Sequence, residues 1–135
     1  MPAGYSETPL AKKLTLKDGM HVSFDGMPDT VRAEIAELGL ALSEQSSPDD
    51  AIDAAHIFVN SVASLTGKLG SLTQLIEKNC QIWVSWPKKA SGVATEVDEH
   101  DVRKAGLALG LVDTKKCAVD ETWSGLKFVI RKENR

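Results

Sequence analysis

The chain has 135 residues, with 16 lysines and arginines against 19 aspartates and glutamates, for a net charge of -3. A chain of this length forms one domain that buries roughly 65–70% of the surface its unfolded form exposes, and interspersed charge excludes the clustered basic excess of a nucleic-acid protein. Cys80 and Cys117 are widely spaced, there is no charged-then-apolar leader, and no apolar run nears the roughly 20 residues of a membrane span, so we expect a reduced, cytoplasmic protein outside the membrane.

Residues 1–7 read as a loose arm on a single domain spanning 1–135. Thr8 suits an N-cap and Pro9 the first helical position, leading into a short helix that carries Leu10, Ala11 and Leu14. After the turn Lys17-Asp18-Gly19, the run Met20–Phe24 is a first strand, ended by Asp25-Gly26-Met27-Pro28. Val31, Ile35 and Leu38 recur at helical spacing, and Gly39 supplies the stop. Leu40–Ser43 is a second strand, Glu44–Asp53 a polar connection, and His56–Asn60 a third strand. Ser61 then caps a segment striped with Val62, Leu65, Leu69, Leu72, Leu75 and Ile76, which Gly70-Ser71 would divide into two helices and Asn79 would end.

The short apolar run Cys80–Trp86, bounded by Asn79 and Pro87, is how a central parallel strand reads. It runs straight into the cationic loop Pro87-Lys88-Lys89-Ala90-Ser91-Gly92, where the main chain must leave the sheet. Asp98 and Asp101 have capping-box spacing ahead of a helix that buries Val102, Ala105 and Leu109 and stops at Gly110. Leu111–Val119 and Leu126–Ile130 are the last two strands, joined by the turn Asp120–Gly125. With no room for a crossover helix they must be antiparallel. Strand alternating with helix, closed by a hairpin, predicts an α/β fold with a doubly wound, mostly parallel sheet. Such sheets bind ligands at the carboxyl ends of their strands, so the loops Asp25–Pro28, Glu44–Ser47, Asn60–Ser64, Pro87–Gly92 and Asp120–Gly125 are expected on one rim.

A helix and five parallel strands ending in an antiparallel hairpin resembles a trimmed S-adenosylmethionine-dependent methyltransferase fold, which is Rossmann-like and three-layered. The segments Gly4-Tyr5-Ser6, Thr8–Leu14, Trp86–Gly92, Ala105–Asp113 and Trp123–Val129 resemble, more closely, an uncharacterised bacterial family, domain of unknown function 3052. The resemblance spans nearly the whole chain and implies a small Rossmann-like bacterial protein. It lends no catalytic residue.

A dinucleotide or S-adenosylmethionine site wants several glycines after the first strand, so that the backbone approaches the ligand. The turn here has Gly26 alone, and Pro28 removes an amide donor. Glu44 stands where a ribose-binding acid belongs, and Asn60-Ser61 where methyltransferases place an acid or amide. A surface acid and a helix cap account for them equally. Lys88 and Lys89, with Ser91 and the Gly92 backbone, would hold a phosphate or carboxylate, unless they merely pair with Asp120 and Glu121. Trp86 and Trp123 would wall a flat ligand. His21, His56 and His100 lack metal-ligand spacing, and no nucleophile has a partner in sight, so we expect no catalytic residue, metal or cofactor. The leading expectation is a non-enzymatic or catalytically reduced protein that binds a small anion or a protein partner at Lys88, Lys89, Ser91 and Trp123. The alternatives are a divergent S-adenosylmethionine-dependent methyltransferase or nucleotide-binding protein using Gly26, Glu44, Asn60 and Ser61, and a structural module whose helix and lysine loop make a homodimer surface.

Overall fold

Alternating apolar runs and helical stripes close on one six-stranded sheet in the computed structural model, which describes residues 8–45, 52–75 and 80–130. The elements are α1 (Leu10–Lys13), β1 (His21–Asp25), α2 (Asp29–Ala36), β2 (Ser43–Glu44), β3 (Ala54–Phe58), α3 (Val62–Thr73), β4 (Gln81–Pro87), α4 (Glu99–Ala108), β5 (Leu111–Ala118) and β6 (Trp123–Ile130). A single 3₁₀ turn, Lys89–Ser91, follows β4. The strand order is β2-β1-β3-β4-β6-β5. Strands β1 to β4 are mutually parallel, and β6 runs antiparallel to both β4 and β5.

Strands β3 and β4 are buried along their whole length, because helices cover both faces. The period-two alternation of strand side chains sorts the core into two halves. Ala55, Ile57, Ile82, Val84 and Phe128 face Leu65, Leu69 and Leu72 of α3 and Val102 of α4. Val22, Ala54, Phe58 and Trp83 face Leu10 and Leu14 of α1 and Val31 and Ile35 of α2. This is the doubly wound, three-layer arrangement expected from the element order.

Several local expectations shift. Pro9, not Thr8, is the N-cap of α1, and no side chain caps it. The four-residue helix is instead held by its carboxyl end, where the Leu14 carbonyl accepts from Trp83 Nε1 at 2.9 Å and the Thr15 carbonyl from Gln81 Nε2 at 3.2 Å. Gly70-Ser71 does not split α3, which runs unbroken because Leu69 and Leu72 continue its buried stripe. Leu38, Leu75 and Leu109 lie at least 40% exposed beyond their helices' buried faces, whereas Gly106 takes the inner position on α4. A Cβ there would stand 2.3 Å from Phe128 Cε1. Strand β6 starts at Trp123 because Trp123, Ser124 and Gly125 pair with Pro87, Trp86 and Ser85. The Asp98–Asp101 capping box forms in both directions, at 3.0 and 3.1 Å, and Gly39 adopts the left-handed φ of 72° that ends its helix. The arm at residues 1–7, the middle of the polar connection and Asn79 lie outside the described residues. Among the described residues no helix is long and apolar enough to cross a membrane.

Candidate functional site

The chain leaves β1 toward β2 on one side and returns to β3 on the other, so strand order reverses at β1. The crevice between the carboxyl ends of β1 and β3 is where such a fold places a ligand. On the β1 side stand Asp25 and Gly26, the latter at φ 75°, a conformation costly for any residue with a side chain. On the β3 side stand Phe58, Val59 and Asn60. Between them lies the ammonium of Lys68, delivered from α3, which donates to Asp25 Oδ1 at 3.1 Å and to the Phe58 carbonyl at 3.3 Å. A Cβ on Gly26 would meet Lys68 Nζ and the Phe58 oxygen, each at 3.5 Å. The crevice tops a groove of about 640 Å³ lined by Ser23, Ala55, Ile57, Ser64, Lys68 and Leu72. Lys68 was not singled out in the sequence. The available signal was a polar stripe, Ser64, Lys68 and Ser71, at spacings of four and three beside the apolar stripe Leu65, Leu69 and Leu72.

The other residues of the nucleotide alternative have partners of their own. Glu44 makes an exposed ion pair with Arg32, whose guanidinium lies 5.6 Å from the centre of the Phe24 ring. Ser61 accepts from the Ser64 amide at 3.1 Å and so caps α3. The Asn60 carbonyl accepts from the Glu96 amide at 2.9 Å, tying the loop after the 3₁₀ turn to the end of β3.

The lysine loop is internally organised. Lys88 donates its main-chain amide to Thr122 O and its ammonium to Asp120 O, each at 2.8 Å, which clamps the loop to the β5–β6 turn. Ser91 Oγ donates to the Lys88 carbonyl at 2.6 Å and accepts from the Val93 amide at 3.1 Å, and Gly92 closes the turn at φ 79°. Lys89 is exposed. The carboxylate of Asp120 accepts from the amides of Thr122 and Trp123. Trp86 is buried in the core half under α3 and α4, whereas Trp123 lies on the opposite face, edge-on to Phe58 at 5.0 Å. The expected aromatic wall therefore does not form, because adjacent register positions on β4 point to opposite faces of the sheet.

One polar pair was invisible in the sequence. His56 of β3 places Nε2 2.6 Å from Ser85 Oγ of β4, and its ring stacks on Phe58 at 4.4 Å. Burial without an ionic partner pushes its pKa down to about 3, so the imidazole is neutral. Both side chains are buried within the sheet and neither lines the groove below Lys68. His21 lies 3.6 Å from Asp53 and His100 is exposed in the first turn of α4. Both cysteines are free. Burial pushes the Cys80 thiol up to about 12 and raises that of Cys117, so neither is an activated nucleophile. Among the described residues no three His, Cys, Asp or Glu side chains converge on a metal position.

The fold is similar to that of several methyltransferases. A SAM dependent methyltransferase from Aquifex aeolicus aligns at 14% identity over 90% of this chain and 87% of its own, with a TM-score of 0.59. The ribosomal protein L11 methylase of Lactobacillus delbrueckii subsp. bulgaricus aligns at 12% over 90% and 75%, with a TM-score of 0.58. Magnesium protoporphyrin IX methyltransferase from Synechocystis PCC 6803, solved with bound SAH, aligns at 12% over 84% and 74%, with a TM-score of 0.56. At these identities the likeness is one of fold. No curated protein matches the sequence significantly. The family model described as protein of unknown function (DUF3052) matches residues 11–132.

Proposed function

The chain belongs to the DUF3052 family of proteins of unknown function, and on that premise we propose that it is a methyltransferase-like binding protein, catalytically reduced, which takes a small anionic ligand at the carboxyl-end rim of its sheet. The observation that carries this is the Lys68 ammonium between the ends of β1 and β3, 3.1 Å from Asp25. An anion entering the crevice exchanges places with the half-exposed Asp25 carboxylate and keeps the charge of Lys68 compensated. A ligand carrying its own cation, such as a sulfonium, has no place to take in that exchange and would have to draw Asp25 away from Lys68. Lys89, exposed on the neighbouring loop, supplies a second cation to the same rim, with the Gly92 backbone beside it.

A divergent methyltransferase is the second reading, favoured by the positive-φ Gly26 straight after β1 and by the fold likeness to SAM- and SAH-bound enzymes. A thermal-shift panel of phosphate, adenosine monophosphate, nicotinamide cofactors and S-adenosylhomocysteine, run on the native chain and on Lys68→Met, separates the two. Binding of an anionic probe at a hundredfold over its Kd stabilises by about 2.7 kcal/mol, and the proposal expects that gain to vanish in Lys68→Met. S-adenosylhomocysteine binding that survives or strengthens in Lys68→Met would favour the methyltransferase. A flat panel would overturn both.

A further inference from the structure

The face of the β5–β6 hairpin beside α1 is a strip of lysines in a chain whose net charge is negative. Lys115 and Lys127 are directly paired in register across β5 and β6 and project to the α1 side, since the neighbouring Lys116 reaches Glu99 of α4 on the other side and Phe128 fills the core half under α4. Lys13 of α1 donates to the Ala118 carbonyl and Lys115 to the Lys13 carbonyl, each at 2.8 Å, so both ammoniums lie along the seam between helix and hairpin. Lys17 lies four residues beyond the end of α1 and is exposed. Among the described residues no carboxylate forms an ion pair with Lys13, Lys17, Lys115 or Lys127. Of the acids nearby, Glu34 senses Lys13, Asp18 follows Lys17 with its carboxylate accepting from the Ala41 amide, and the Asp120 carboxylate is already engaged by two amides.

Lysines on an edge strand commonly serve only to block pairing with another chain, and that explains Lys115 on β5. It does not explain Lys127, which is half-buried on β6, a strand with partners on both sides. A cation held there without a counter-charge is a cost to the fold that a bound anion would relieve. Its ammonium is accordingly easier to deprotonate than an ordinary lysine, through burial first and then through Lys115 and Lys17. Point-charge ammoniums strung along a seam, those of Lys13 and Lys115 held by carbonyls and keeping spare donors, suit successive phosphoryl groups.

We propose that Lys13, Lys17, Lys115 and Lys127 form a binding strip for a small polyphosphate, free or carried on a nucleotide, separate from the crevice at Lys68. Titration calorimetry of the full chain with sodium tripolyphosphate, then with adenosine triphosphate, tests it at low salt. Saturable binding is expected in the Lys68→Met background, which removes the cation of the crevice, weakened at least tenfold by adding Lys127→Met or Lys17→Ala and unchanged by adding Lys104→Met, which removes the same charge from α4. Equal affinity for the two anions assigns recognition to the phosphates, and a tighter nucleotide assigns a base contact as well, both within the proposal. Lys127→Met should also unfold at a higher temperature, because it removes a crowded, half-buried charge. No binding, or equal weakening by Lys104→Met, overturns the strip. So does capture of an acidic peptide or single-stranded oligonucleotide by a chain that ignores tripolyphosphate.

Discussion

His56 makes the stability of this domain depend on pH in a calculable way. The folded state holds the imidazole neutral, with a pKa of about 3, while the unfolded chain protonates it near the ordinary value of 6.5. Below 6.5 the unfolded state therefore binds more protons than the folded one, and stability falls as pH falls. The contribution is fully present above 6.5, erodes through pH 5 and 4, and levels off near 3. At about 1.4 kcal/mol per pH unit the ceiling is roughly 5 kcal/mol, and at pH 5 the loss is about 2 kcal/mol. That is a large share of the 5–15 kcal/mol that typically holds a domain together. Urea denaturation at pH 7.5 and pH 5.0 should be compared between the native chain and His56→Gln, which keeps a hydrogen-bonding side chain beside Ser85 but does not titrate. Carboxylate effects are common to both proteins and cancel, leaving an excess loss of about 2 kcal/mol in the native chain. Equal losses in the two proteins, or an imidazole resonance titrating near 6.5 in the folded state, would refute the reasoning.

Gly106→Ala drives a methyl group into Phe128 at 2.3 Å, and chemical denaturation should show a loss of at least about 1–3 kcal/mol with an unchanged m-value. Ser61→Ala removes the cap of α3 and should cost about 1 kcal/mol while leaving the binding of any rim ligand intact, and loss of binding without loss of stability would make Ser61 a ligand contact instead. Glu99→Gln breaks the bridge between Arg103 of α4 and Lys116 of β5. It should cost under about 1 kcal/mol in low salt and nothing measurable in molar salt, by thermal unfolding at the two ionic strengths.

Element type and order were legible because each depends on local pattern. The mostly apolar run of β4, the Asp98–Asp101 box and the Gly39 stop all declare themselves within a few residues, and all stand in the structure. Boundaries moved where pairing overrode composition. Trp123-Ser124-Gly125 has turn chemistry but is drawn into β6 by the edge of β4, and Ala54-Ala55 joins β3 despite lacking β-branched side chains. The rim loops followed from topology, yet what occupies the crevice did not. Lys68 lies 43 residues from Asp25 and 10 from Phe58, and nothing local announces that one ammonium will reach both. The His56–Ser85 pair is hidden for the same reason, since register between β3 and β4 is set by the whole sheet rather than by either segment.

The position of β6 between β4 and β5 has a bearing on how the protein is made. β4 finds its second partner only in the last strand described, and Lys13 of α1 reaches a carbonyl 105 positions further along. On the ribosome, therefore, β1 to β4 emerge with the flank of β4 bare and α1 without its seat beside the hairpin. The sheet cannot complete until residue 130 has cleared the exit tunnel, so one flank of β4 stays unpaired from the emergence of residue 87 to that of residue 130. Substitutions that slow closure of the β5–β6 hairpin should then reduce yield in cells more than they reduce the stability of the purified protein.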